Sequence, residues 1–119
     1  MSTKVESFQD LVVWQKSHKL AQTIFKSKFS GKEGKALAEI LQVRIVDIPS
    51  NLAIGFKKRG KKAKIHYYRE ALTALQDVSY LFLLAKDLEC LKNASDFTED
   101  LETIERMIKR LIRSNAQNQ

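Results

Sequence analysis

Lys57, Lys58, Arg59, Lys61, Lys62 and Lys64 place six positive charges within eight consecutive residues, with no acid among them. A cluster of this kind neutralises phosphates and releases their condensed counterions, which gives affinity that ignores base sequence and falls with salt. Of the 21 Lys and Arg in the chain these six leave 15 to face 14 acids, so the net charge of +7 is almost wholly a property of this one segment. An anionic partner, nucleic acid first among them, is the chemistry it suggests. Phe56 precedes the segment and His66, Tyr67 and Tyr68 follow it. Aromatic rings beside a basic loop can stack on unpaired bases, but they can equally be packed core residues beneath solvated lysines; both readings are open from sequence.

Other reactive residue types do not assemble into a catalytic pattern. His18 lies one turn from Trp14 on an apolar stripe, His66 lies beside the lysines, and Cys90 stands alone as a small hydrophobe. No nucleophile has an adjacent base, no Glu-x-x-His pair of the di-iron bundles occurs, and Gly55 to Gly60 lacks the spacing of a phosphate-binding P-loop. The expectation is a protein that is not an enzyme and uses no cofactor and no metal, because two histidines and one cysteine cannot make a zinc-finger ligand set. The opening Met-Ser-Thr-Lys-Val-Glu is polar, and no window approaches the roughly 18 apolar residues of a membrane span. A cytoplasmic protein with no membrane partner is expected.

The elements that must carry the basic segment are helices. One Pro and four Gly in 119 residues leave few breaks, and the glycines fall in two pairs, Gly31 with Gly34 and Gly55 with Gly60. A third break lies at Lys92–Asp96, where Ser95 or Asp96 can cap a helix and Glu99 completes a capping box. Three turns predict four helices, at about 9–29, 35–57, 62–91 and 96–114, with a polar tail from Ser114 to Gln119. The fold class is all-α: a single domain over 1–119, an antiparallel up-and-down four-helix bundle with the basic segment as its second turn.

Apolar spacing ranks these helices by burial. Val13, Ser17, Leu20 and Ile24 form one stripe of the first, and Phe97, Leu101, Ile104, Ile108 and Leu111 a narrow stripe of the fourth, with acids at its start and bases at its end as the helix dipole favours. The second helix is apolar on two sides. Leu37, Leu41, Ile45, Ile48 and Leu52 make a core face, while Ile40, Val43, Val46 and Ile54 project from the other side together with Ala53. The third helix is also apolar over more than half its circumference. Because a four-helix bundle has no central position in which to hide such a helix, the surplus favours self-association, with Ile40, Val43, Val46 and Ile54 as the interface. Pro49 inside the second helix predicts a kink near residues 45–49, with Ser50 and Asn51 able to bond backbone groups freed there.

Three segments in combination resemble a known family. Phe8-Gln9-Asp10-Leu11-Val12-Val13-Trp14-Gln15-Lys16 is similar to the start, and Val46-Asp47-Ile48-Pro49-Ser50-Asn51-Leu52-Ala53-Ile54-Gly55 to the centre, of the four-helix bundle proteins encoded in intervening sequences of bacterial 23S rRNA genes. Tyr68-Arg69-Glu70-Ala71-Leu72 through Leu84-Ala85-Lys86 has the spacing of that family's third helix. The resemblance implies a bacterial homopentameric ring that binds nucleic acid, RNA in the first instance, through a positive surface. A related branch, the accessory variability proteins of diversity-generating retroelements, implies an alternative role as an adaptor for a reverse transcriptase and its RNA. The chain departs from the family pattern at Ile54, where an acid is usual, at Ala71–Leu75, and at Val43, which stands beside Arg44 in place of a second base.

Overall fold

The computed structural model describes residues 4–117. Five α-helical segments account for most of it: α1 (Val12–Lys26), α2 (Gly31–Ile45), α3 (Asp47–Lys57), α4 (Lys61–Asp87) and α5 (Thr98–Gln117), with short 3-10 turns at Phe8–Asp10 and Ala94–Phe97. Among the described residues there is no strand, only an isolated antiparallel bridge between Phe29 and Leu91. No helix is long and apolar enough to cross a membrane.

The second expected helix is real but bent. Pro49 supplies no N–H to the carbonyl of Ile45, and its ring crowds that carbonyl, so regular α-helix stops at Ile45 and resumes at Asp47. Val46 between them keeps helical angles (φ −69°, ψ −21°), so the chain bends without turning back. The core stripe therefore passes through the bend in phase: Leu37, Leu41, Ile45, Ile48 and Leu52 are all buried, the last four completely. Asn51 donates from Nδ2 to the carbonyl of Asp47 at 2.8 Å, two residues beyond the carbonyl that Pro49 leaves free.

The other boundaries shift for local reasons. α1 begins after a capping box that the sequence reading missed: Ser7 Oγ accepts from the Gln9 amide, and Asp10 Oδ2 accepts from the Ser7 amide at 3.1 Å. α2 starts earlier than expected, at Gly31, whose φ of +76° is open to glycine. α4 ends at Asp87, because Glu89 adopts a left-handed conformation (φ 53°) that lets the Glu89 and Cys90 amides return to the carbonyls of Lys86 and Ala85. That is a Schellman closure made without glycine. Asn93, also left-handed at φ 65°, leads into the 3-10 turn, so α5 opens at Thr98 rather than at Asp96. It continues to Gln117, three residues further than the sequence suggests, and Asn118 and Gln119 of the expected polar tail lie outside the described residues.

With α2 and α3 acting as one bent helix, the chain forms a helical bundle of four members. The bent helix packs on α1 and α4, and α5 packs on α4 and α1. The 27 residues of α4 span about 40 Å at 1.5 Å each and set the long axis of the molecule, 48 Å. At one end the turn after α1 is tied to the turn after α4, where the Ser30 amide donates to the Cys90 carbonyl at 2.7 Å. Buried Cys90 fills this end as an apolar group. The opposite end carries the basic segment.

Candidate nucleic-acid interface

Three residues, Lys58 to Gly60, connect α3 to α4, so the basic segment is a tight turn between two helix ends. The two ends treat its charges differently. Lys57 closes α3, where a cation complements the negative end of the helix dipole. Lys61, Lys62 and Lys64 open α4, the positive end, with no acid in its first turn and no side-chain cap on its amides. Cations crowded there oppose the dipole and one another. An anion placed at the turn would meet both the ammonium groups and the uncapped amides and relieve this opposition.

An aromatic floor holds several of these lysines in place. Lys57 Nζ lies 5.2 Å from the centre of the Phe8 ring, Lys58 Nζ 5.2 Å from Tyr67, and Lys64 Nζ 5.3 Å from Phe56. The aromatics flanking the segment are thus seats for its cations, and Tyr68 is core, 2% exposed, with burial pushing its phenol above the ordinary range. Lys57, Lys58, Arg59 and Lys62 are exposed, and Lys61 is half-buried. Lys64 has a different role: its ammonium donates to the carbonyls of Phe56 and Gly55 at 2.5 and 3.3 Å, which caps α3. Burial there lowers it below the usual lysine value.

Close packing fixes the angle between the two helices that flank the turn. A Cβ at Gly55 would lie 2.7 Å from Cε1 and 2.9 Å from Cδ1 of Tyr68, so only glycine lets α3 approach α4 here. His66 is exposed and meets Tyr67 edge-on at 4.9 Å. His18 is exposed and stacks on Trp14 at 4.6 Å, while Phe8 meets Trp14 edge-on at 5.0 Å.

The projecting residues of the bent helix remain uncovered in the single chain. Val43 is 65% exposed, and Ile40, Val46 and Ile54 are all exposed beside it. Next to this ridge, between α1 and α3, lies an apolar groove of about 600 Å³ walled by Trp14, Phe25, Val46, Pro49 and Ala53. On the other flank of the bent helix the surface turns polar. Arg44 pairs with Asp77 of α4 above a cleft that also holds Asp47, Asn51 and Glu70. Sequence reasoning did not foresee this pairing, since Arg44 and Asp77 are 33 residues apart.

Comparison with curated proteins gives no match. The family model described as 23S rRNA-intervening sequence protein matches residues 9–110, from the last residues of the first 3-10 turn well into α5. That span includes the bent helix, the basic turn and the Gly55 crossing, and the chain therefore belongs to the 23S rRNA-intervening sequence protein family.

Proposed function

We propose that this protein is a non-enzymatic, self-associating nucleic-acid-binding bundle that grips the phosphates of RNA through the turn between α3 and α4. Lys57, Lys58, Arg59, Lys61 and Lys62 make the contacts, and Lys64 holds the turn in shape. The observation that carries this reading is the set of lysines at the positive end of α4, a placement with an energetic cost that a bound phosphate chain relieves. Membership of the family supports an association with nucleic acid. The test is to recover the protein from its native cells and sequence the nucleic acid bound to it, then measure binding of purified protein to that species. Bound RNA supports the proposal. Recovery of a reverse transcriptase instead, with no binding of purified protein to RNA or DNA, replaces it with the adaptor role.

Self-association, with a homopentameric ring as the expected form, is the second part of the proposal. Its support is the ridge of Ile40, Val43, Val46 and Ile54, which continues through Val46 into the α1–α3 groove as one exposed apolar surface large enough to need a partner. Light scattering at micromolar concentration will give a mass several times that of one chain. Val43→Asp, which places a charge at the most exposed point of the ridge, will return a folded monomer. A wild-type monomer overturns this part, as does a Val43→Asp assembly of unchanged mass.

A further inference from the structure

A second group of cations lies on the same half of the molecule. Arg69 from α4 and Lys109 and Arg113 from α5 surround a depression of about 460 Å³ whose floor includes Leu72 and Ile112. We infer that this depression is a second phosphate-contact site, and that one nucleic-acid strand runs from the basic turn along α4 into it. The inference rests on the nucleic-acid reading of the turn and extends the bound surface to residues outside the basic segment.

Three observations carry it. First, the charges converge from two helices, and two of the three lack a counterion among the described residues. Lys109 has Glu105 at 3.6 Å, but Arg69 and Arg113 have no carboxylate within ion-pair distance among the described residues. Second, the ordinary reason for bases on α5 does not cover the cluster. The dipole accounts for cations near the end of α5, yet Lys109 and Arg113 are a like-charge pair four residues apart, and Arg69 sits within α4, away from either end.

Third, the register is continuous. Lys62, His66 and Arg69 are exposed at successive turns, so they line one face of α4 from the basic turn to the depression. Lys62 and Arg69 are about 10 Å apart along the helix, a span that a few nucleotides of single strand bridge. The rim can hold phosphates while the apolar floor of Leu72 and Ile112 receives sugar or base surface.

The test uses fluorescence anisotropy on the full chain with a four-nucleotide and a twelve-nucleotide single-stranded RNA, comparing a loop variant (Lys58→Ala, Lys61→Ala, Lys62→Ala) with a cleft variant (Arg69→Gln, Lys109→Gln, Arg113→Gln). The cleft side chains are exposed, so a matching melting curve will show that the fold is kept, and Arg69→Gln alone repeats the test with less change. The cleft variant is expected to weaken the twelve-nucleotide RNA about tenfold or more, to lower its salt slope by about two, and to weaken the four-nucleotide RNA much less, because its few phosphates can be held by the turn alone. Loss in the loop variant with no loss in the cleft variant overturns the inference and leaves the reading of the turn intact, and so does equal loss for both lengths in the cleft variant. Absence of binding by the wild-type protein overturns the reading of the turn itself.

Discussion

Raising salt from 50 to 200 mM will lower the affinity of this protein for RNA by two orders of magnitude or more. Five phosphate contacts from Lys57, Lys58, Arg59, Lys61 and Lys62 correspond to a slope of log affinity against log salt of about −3.5 on a single strand and about −4.5 on a duplex. A fourfold change in salt then costs about 100-fold to 500-fold. The triple variant Lys58→Ala, Lys61→Ala, Lys62→Ala will keep two of the five contacts and bring the slope to between about −1 and −2. Lys64→Ala will behave differently. Its ammonium is committed to the carbonyls at the end of α3, so its loss will lower the melting temperature and leave the salt slope nearly unchanged. A titration by anisotropy, with melting curves for each variant, checks all of these, and a slope near zero for the wild type would exclude the basic turn as a phosphate site.

Gly55→Ala and Gly60→Ala, five residues apart on either side of that turn, will differ sharply in their effect on stability. Replacing a helical glycine by alanine ordinarily stabilises by about 1 kcal/mol, because the backbone loses less freedom on folding. At Gly55 the added Cβ would fall 2.7 Å from a carbon of the Tyr68 ring. That ring is fully packed in the core and has no free space to rotate into, so α3 and α4 must move apart at a cost of about 1–3 kcal/mol. At Gly60, the N-cap of α4, nothing lies within 4 Å of the new Cβ and the backbone is in the extended region; the entropy gained with alanine is offset by the preference of an N-cap for glycine over alanine, so the change will be close to neutral. Denaturant unfolding of the two variants measures the difference. Equal stability would mean that α3 and α4 do not cross at Gly55 as closely as described. The same separation of helices displaces the carbonyls that Lys64 caps, so Gly55→Ala will also weaken RNA binding, and Gly60→Ala will not.

How much of this was legible in the sequence differs from element to element. The stripe Leu37, Leu41, Ile45, Ile48 and Leu52 could be read directly, and so could the interruption at Pro49, because helical period and a missing amide are properties of the chain itself. The ridge of Ile40, Val43, Val46 and Ile54 could be read by the same period, as the residues left over once the core face is assigned. Helix ends were harder. The closure at Glu89 uses a left-handed conformation at a residue type that does not announce it, and the box at Ser7 and Asp10 lies before the apolar pattern begins.

Among the charged residues the boundary is sharper. Six adjacent cations are visible in any reading of the chain, and their positions at 57–64 concentrate the net charge at one turn without reference to a fold. What each one does was decided by packing. The rings under Lys57, Lys58 and Lys64 come from three places in the chain, and the diversion of Lys64 to the end of α3 depends on the angle at which Gly55 lets two helices meet. Arg69 and Arg113 are 44 positions apart, and they become neighbours only because α5 returns along α4. Charge density and helical period are local quantities carried by residue order. The convergence of separate side chains on one surface is a product of burial, because the apolar faces that α4 and α5 bury, Leu75 and Ile104 among them, choose which helices lie side by side and the polar residues take the positions this leaves them.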